Sequence, residues 1–209
     1  TTGFTMPPFR REMRFVAMKH PREYPFNDGR IVSSDGLDLP LTEWTRAFEE
    51  FHVEGSNALH ARSLDGGGPY LLGPAARVTL AADELHPVAR SLLAETGMES
   101  MIRTNIYASI VARAIELVHA TAEALDIVDR YVPPDRPAVD WRPRPGVAAW
   151  ATEAPRGMCF HRYEVDERGR VTRCQIVPPT SQNQAAIEAD MVEAATEALK
   201  LPDAAATRR

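Results

Sequence analysis

The longest periodic segment of the chain is followed directly by a run of prolines, and together they constrain the fold. From Met101 to about Val128, apolar residues recur at spacings of three and four, which is typical of a helix with an apolar face. Further apolar residues widen that face until it covers much of the circumference, so we expect this helix to be buried among other helices or against a partner protein. Residues 131–145 contain five prolines, which exclude a continuous helix there and predict an extended surface strap.

Shorter elements surround this helix. Asp35-Gly36 lies between two short apolar runs and predicts a two-residue hairpin turn. Thr42 is expected to cap a helix from Glu43 to about His52. Asp83 or His86 could open a second helix, which Gly97 would end.

The C-terminal part predicts a β-hairpin over residues 158–177, with a type I turn at Asp166–Gly169, followed by a helix over residues 184–200. The predicted fold class is therefore α+β, a mostly helical body with a long buried helix and small antiparallel β-hairpins. A chain of 209 residues can bury a sizeable core, and we expect residues 1–209 to form a single domain.

Composition narrows the possible partners. The net charge is −5, with 24 basic against 29 acidic residues and no long basic run, which argues against binding nucleic acid or an anionic membrane. No apolar run approaches the roughly 20 residues of a transmembrane helix. The chain starts with neither Met nor a signal peptide, so we expect it to begin inside a longer protein or to be processed.

Two cysteines, Cys159 and Cys174, lie on opposite arms of the predicted hairpin, close to cross-strand register. A disulfide is geometrically conceivable between them. Two reduced, partly buried thiols in a cytosolic protein are the preferred interpretation, because two cysteines do not make the disulfide framework of a secreted domain.

The segment Glu153-Ala154-Pro155-Arg156-Gly157 is the first of three uncommon motifs. Pro fixes φ and Gly tolerates unusual conformations, so this turn should hold Arg156 stiffly. A guanidinium presented in this way can donate several hydrogen bonds to an anionic ligand. The structural alternative is an Arg156 paired with Glu153 or Glu164.

The second and third motifs are His161-Arg162-Tyr163 and residues 177–184, Val-Pro-Pro-Thr-Ser-Gln-Asn-Gln. Thr180 or Ser181 could simply cap the following helix with its hydroxyl. A lone His161 is more often a satisfied structural residue than a metal ligand, and no second His or Cys lies at ligand spacing.

In this order, the three motifs resemble the C-terminal half of the large subunit of nickel–iron hydrogenases, in particular the cytoplasmic multi-subunit branch. Weaker matches upstream, including Tyr24-Pro25-Phe26 and Gly73-Pro74-Ala75-Ala76-Arg77, extend the resemblance over most of residues 14–195. Residues 1–13 match less well, and a deletion or a join near Met13 would account for this.

The resemblance implies roles for individual residues. Arg156 would lie beside the open position where dihydrogen is activated, and Pro155 and Arg156 would line the pocket of the diatomic ligands on iron. Thr180 would hydrogen-bond a cyanide on iron, and Asn183 would stabilise the turn.

The resemblance also implies cofactors and partners. The cofactor is a nickel–iron centre with diatomic ligands on iron, and an iron–sulfur small subunit carries electrons away through its clusters. Nicotinamide- or deazaflavin-linked electron-transfer subunits lie beyond it, and the expected location is cytoplasmic.

The chain departs from that family in one decisive respect. The family holds its metals through two pairs of cysteines in CxxC spacing and carries a proton-relay Glu beside the first pair, and this chain has neither. By resemblance, both pairs would lie beyond its ends. The chain alone could therefore form the outer shell of the metal site but would be inactive.

Three hypotheses follow. The first is a component of a hydrogenase large subunit that reversibly oxidises dihydrogen, with its remaining parts elsewhere. The second is a metal-free, hydrogenase-derived scaffold or assembly subunit of a redox complex. The third is a different enzyme that uses Arg156 and Glu164 for acid–base catalysis, although no base, nucleophile and orienting group cluster around them in sequence.

Overall fold

The computed structural model of the protein describes residues 6–200, and these residues form nine strands and five α-helices. The strands are β1 (Arg14–Lys19), β2 (Arg30–Ser33), β3 (Asp38–Pro40), β4 (Phe48–Phe51), β5 (His60–Ser63), β6 (Tyr70–Leu71), β7 (Gly146–Ala154), β8 (Gly157–Val165) and β9 (Val171–Val177). The helices are α1 (Pro74–Ala81), α2 (Pro87–Thr96), α3 (Glu99–Ile102), α4 (Ser109–Arg130) and α5 (Pro179–Ala198). Short 3₁₀ turns cover Leu41–Arg46, Ala82–Glu84 and Ile106–Ala108.

The strands form three separate sheets. A four-stranded sheet has the order β3-β2-β1-β6, in which β1 runs antiparallel to β2 and parallel to β6. Strands β4 and β5 form a hairpin, and β7-β8-β9 form an antiparallel meander. The predicted hairpin at Asp35-Gly36 is confirmed as the β2–β3 connection.

The core has two parts. One packs α1, α2 and α4 against β1. The other surrounds the fully buried Trp44, whose ring stacks on Phe160 at 5.1 Å and on Phe48 at 5.5 Å between centroids. The second part joins the first sheet to the β7-β8-β9 meander.

The long helix predicted from Met101 to Val128 is interrupted. The short α3 ends at Ile102, and α4 starts only at Ser109. Between them, the buried Asn105 accepts a hydrogen bond from the Tyr107 amide at 3.0 Å and donates one to the Pro7 carbonyl at 2.9 Å. An Asn side chain that bonds nearby backbone in this way competes with the helical pattern, so a new helix starts after it.

Helix α4 is buried on one face only, which corrects the expectation that it is buried among other helices of this chain. The buried residues are Ala112, Ile115 and His119. Large apolar residues on the rest of its surface are more than half exposed, namely Ile110, Leu117, Leu125, Ile127 and Val128. An exposed apolar stripe of this kind is typical of a surface that another protein segment covers.

The helix predicted from Glu43 to His52 was wrong. Residues Leu41–Arg46 form a 3₁₀ turn and Phe48–Phe51 form β4, which pairs with β5. Pairing with β5, the next strand along the chain, overrides the local helical spacing of the aromatic residues. The helix after His86 was predicted correctly: the His86 side chain accepts a hydrogen bond from the Val88 amide, and Gly97 ends the helix at φ +62°.

The predicted single hairpin over residues 158–177 is extended by a third strand, β7, which pairs with β8 from Gly146 to Ala154. The cysteine register was also wrong. Cys159 lies opposite Thr152, Cys174 lies opposite Tyr163, and both thiols are free.

Residues 131–145 contain no helix or strand, and every one of them is exposed. Within residues 6–200, no helix combines the length and the apolar character needed to span a membrane.

Candidate functional site

The Pro155-Arg156 turn joins β7 to β8 as a two-residue hairpin loop, with Ala154 paired to Gly157. Gly157 has φ +128°, and a Cβ there would overlap the Leu72 side chain and lie 2.9 Å from the Gly73 nitrogen. Gly73 has φ +101°, and a Cβ there would lie 3.0 Å from the Arg156 carbonyl oxygen. The turn and the β6–α1 loop therefore approach so closely because both positions are glycine.

A buried ion-pair network holds the turn from the β1 and α4 side. The Arg77 guanidinium pairs with Glu153 at 2.6 Å, donates to the Ala154 carbonyl at 2.9 Å and forms two bonds to Glu116 at 2.5 and 2.7 Å. The second oxygen of Glu153 accepts the Met18 amide at 2.9 Å. The side chains of Arg77 and Glu153 are 4% and 1% exposed, so these charges lie away from water.

This network excludes the pairing of Arg156 with Glu153 that the sequence left open. Glu153 is paired with Arg77, and it forms no ion pair with Arg156. Burial raises the pKa of Glu153, and the Arg77 charge opposes that rise. Within residues 6–200, Glu153 and Glu116 accept hydrogen bonds only from donors, including the Tyr24 hydroxyl, which lies 2.7 Å from Glu116. This pattern matches ionised carboxylates, which can only accept.

The first turns of α5 hold the other side of the loop. Asn183 donates to the Arg156 carbonyl at 3.1 Å and accepts the Leu72 amide at 2.7 Å, so one buried amide joins the two loops. Gln182 donates to the Met158 carbonyl at 2.8 Å. These contacts give Asn183 the turn-stabilising position that the resemblance implied.

The predicted hydroxyl cap of α5 was wrong. The helix begins at Pro179 with no side-chain cap, and the Ser181 hydroxyl donates instead to the Pro178 carbonyl at 2.9 Å. Because prolines occupy both positions at the helix start, the chain enters the helix without needing a hydroxyl cap. The exposed Thr180 hydroxyl has no hydrogen-bond partner within residues 6–200.

Arg156 and Thr180 line the same cleft, of about 260 Å³, at the junction of these elements. Its other lining residues are Leu71, Leu72, Pro74, Ala75, Ile106, Ser109, Arg113, Asn183 and Ile187. The Arg156 side chain makes no hydrogen bond or ion pair to any residue of the described range 6–200. Its guanidinium is therefore available to a ligand.

Pro155 faces a neighbouring cleft, also of about 260 Å³, together with Arg77, Glu116 and Glu153. The structure thus brings Arg156 and Thr180 together and places Pro155 on the other side of the turn. Arg113 lines both clefts. The sequence interpretation missed it because it lies within the apolar pattern of α4.

The acid–base pair of Arg156 and Glu164 is not supported by the geometry. Glu164 lies near the far end of β8, eight residues from Arg156, which corresponds to roughly 26 Å along a strand. It pairs there with Arg162 at 3.1 Å.

Among residues 6–200, no group of three or more His, Cys, Asp or Glu side chains is placed to hold a metal ion. Cys159 and Cys174 both lie outside the lining of the cleft, and burial raises the pKa of the Cys159 thiol, which disfavours the thiolate. His161 packs against Tyr163 along β8. These residues do not fit the ligand set of a nickel–iron centre, whereas the donors of the cleft fit polar groups that surround one.

No protein-family model matches the chain. It is 33% identical over 160 residues to the alpha subunit of sulfhydrogenase 1 from Pyrococcus furiosus, a match that covers 76% of this chain and 36% of that protein. It is 29% identical over 177 residues to a subunit of the F420-non-reducing hydrogenase vhu from Methanococcus voltae, covering 79% of this chain and 41% of the relative. The chain thus spans about two fifths or less of the length of these relatives.

Solved structures show the same fold. A chain of a NAD⁺-reducing [NiFe]-hydrogenase in the H₂-reduced state matches with a TM-score of 0.69 and 21% identity, covering 94% of this chain and 47% of that one. A reduced, active Ni-Fe-Se hydrogenase from Desulfomicrobium baculatum matches with a TM-score of 0.55 and 20% identity, covering 81% and 42%. The predicted α+β fold class, with helices and antiparallel hairpins, is confirmed.

Proposed function

We propose that this chain, which is homologous to part of the large subunit of nickel–iron hydrogenases, forms the outer shell of a nickel–iron centre in a complex that reversibly oxidises dihydrogen. The observation that carries the proposal is the cleft in which the unpaired Arg156 and the unpaired Thr180 hydroxyl lie together. When bound, such a centre supplies the heterolytic cleavage of dihydrogen. The thiolate ligands would come from polypeptide other than residues 6–200.

Arg156 and Thr180 then have different tasks. The rigid turn holds the Arg156 guanidinium at the edge of the cleft, where a fixed positive charge stabilises negative charge that develops during the reaction. The Thr180 hydroxyl donates a hydrogen bond to a polar ligand on the metal. Pro155 lines the neighbouring cleft and, through its ring, fixes the backbone that carries Arg156.

The partners follow from the same proposal. The relatives are subunits of multi-subunit hydrogenases, so we assign this chain two kinds of partner in a cytoplasmic complex. One is an iron–sulfur small subunit, and the other is a nicotinamide- or deazaflavin-linked electron-transfer subunit. The exposed apolar stripe of α4 offers a surface for such a contact.

The second candidate is the metal-free scaffold subunit. The observation that favours it is that the described residues hold no metal-ligand group. Nickel content separates the two candidates.

The test is to express the tagged chain in its own source organism and purify the complex that it forms under anaerobic conditions. Nickel and iron are measured by elemental analysis, and activity by hydrogen-dependent dye reduction. Arg156→Lys keeps the charge but loses the planar fork, so turnover should fall roughly 100-fold while metal occupancy survives. Thr180→Val removes one hydrogen bond, worth about 1–3 kcal/mol, and should have the milder effect.

The matched control is Arg168→Lys, at the exposed β8–β9 turn on the other end of the same meander. It should behave as the unaltered complex. If the purified complex contains no nickel, the metal-free scaffold subunit replaces the hydrogenase component as the proposed function. Ordinary turnover in Arg156→Lys would remove the role assigned to Arg156.

A further inference from the structure

The cleft that holds Arg156 contains a second unpaired guanidinium. Arg113 reaches it from α4, and its side chain makes no hydrogen bond or ion pair within residues 6–200. The lining residues include two arginines and no Asp or Glu. Two positive charges that share a cleft of about 260 Å³ without a carboxylate repel each other, and an anion between them relieves that repulsion.

The helices around the cleft add to this positive potential. Helices α1 and α5 both start at its wall, through Pro74 and Thr180 respectively. Helix α4 reaches the wall through Ser109, whose amide is already bonded to the Ile106 carbonyl in the preceding 3₁₀ turn. Neither α1 nor α5 has a side-chain cap or an acidic residue in its first turn. Helix N-termini carry a partial positive charge that acidic residues normally offset, and among residues 6–200 the first turns of α1 and α5 supply no such residue.

Arg77 shows that the pattern is specific to the cleft. That guanidinium lies on the other side of the turn, and two carboxylates already neutralise it. Arg113 and Arg156 have no such partners within the described residues, so the chain keeps two guanidiniums available at one place.

We infer that this cleft binds a small exchangeable oxyanion, held between the Arg113 and Arg156 guanidiniums, with Thr180 and Ser109 hydroxyls as further donors. A guanidinium donates two parallel hydrogen bonds to a carboxylate or phosphate, which favours a ligand with at least two oxygens. Leu71 and other aliphatic residues form the apolar wall of the cleft beside these donors. The inference uses the cleft of the proposed function but depends on Arg113 and not on bound metal.

The test uses the complex purified from cells grown without added nickel, so that a metal centre does not occupy the cleft. Inorganic phosphate and, in a second series, formate are titrated calorimetrically at low ionic strength, because exposed charges are screened by salt. We expect binding that weakens as salt is added. Arg113→Gln should weaken it by roughly tenfold or more, since it removes a charge-assisted hydrogen bond. Arg168→Gln, at the distant β8–β9 turn, should leave it unchanged.

A second variant keeps the test independent of folding. Thr180→Asp places a carboxylate in the first turn of α5, where the helix dipole favours it, so the fold should be retained. That carboxylate also supplies the missing negative charge to the cleft, and oxyanion binding should be lost.

Three results would overturn the inference: no binding of either anion, Arg113→Gln that binds as the unaltered protein does, or Thr180→Asp that still binds. Each is separate from the nickel measurement. Nickel in the native complex without oxyanion binding overturns only this inference, and oxyanion binding in a complex that never contains nickel overturns only the proposed function.

Discussion

Arg77 and Arg156 lie on either side of one hairpin turn, and their surroundings are opposite. Arg77 is buried, and each nitrogen of its guanidinium donates to Glu116, Glu153 or the Ala154 carbonyl. Arg156 is exposed, and only its backbone carbonyl is bonded, to Asn183. The same chemical group is thus used once to fix the turn and once to remain available. A guanidinium whose three nitrogens are all bonded within the protein is structural, whereas one on a rigid backbone without partners can bind a ligand.

The largest expected effect tests the structural side of this comparison. Arg77→Leu leaves Glu116 and Glu153 buried without a counter-charge, so the free energy of unfolding should fall by about 3–5 kcal/mol. Urea denaturation followed by circular dichroism measures it. Arg90→Leu is the control, because Arg90 is exposed on α2 and its side chain bonds the Asp83 carbonyl. If Arg77→Leu lowers the free energy of unfolding by less than about 1 kcal/mol, the ion-pair network does not stabilise the turn.

The next effect concerns the close approach of the two loops. Gly157→Ala forces a Cβ into Leu72 at a positive φ, so we expect a loss of about 2–4 kcal/mol in the free energy of unfolding. Gly66→Ala is the matched control, since Gly66 has φ +72° and open space around it, and should cost about 1 kcal/mol. Equal losses in thermal or urea unfolding would mean that backbone conformation alone matters at Gly157.

Asn183→Ala removes the amide that joins the Arg156 carbonyl to the Leu72 amide. Both backbone groups lose their side-chain partner, so the free energy of unfolding should fall by about 1–3 kcal/mol. Hydrogen exchange of the Leu72 amide should accelerate in the same variant. Unchanged exchange at Leu72 would contradict the bond.

The smallest effect tests the other side of the comparison. Arg156→Gln should change the free energy of unfolding by no more than about 0.5 kcal/mol, because its side chain stabilises nothing within residues 6–200. Urea denaturation of Arg156→Gln and of Arg77→Leu under the same conditions compares their free energies of unfolding directly. A large loss at Arg156 would show that its guanidinium has a structural partner and is not available to a ligand.

The sequence predicted this region unevenly, for physical reasons. Pro155 and Gly157 determine the turn locally, and the resemblance identified Arg156, Thr180 and Asn183, all of which lie around the cleft. Arg77 was part of a matching segment, but its pairing with Glu116 and Glu153 joins residues 39 and 76 positions away, which no local pattern reports. Arg113 was concealed because α4 was interpreted by its apolar residues alone.

The same contrast appears in the fold. The hairpin at Asp35-Gly36 and the helix that ends at Gly97 follow from short-range turn chemistry, and both were predicted. Strand β4 was predicted as helix because its aromatic residues recur at helical spacing, which conceals its pairing with the next strand, β5. Strand β7 was overlooked because it follows the prolines of residues 131–145 and alternates weakly.

The register of β8 and β9 has a practical consequence for the two cysteines. Cys174 lies opposite Tyr163, four residues along β8 from Cys159, so the two Cα atoms are separated by roughly 13 Å, about twice the span of a disulfide. The thiols therefore act as two independent chemical labels. An alkylating reagent should modify the exposed Cys174 rapidly and the half-buried Cys159 slowly. Since Cys159 lies three residues beyond Arg156 on the same strand, its alkylation rate reports how often the turn opens.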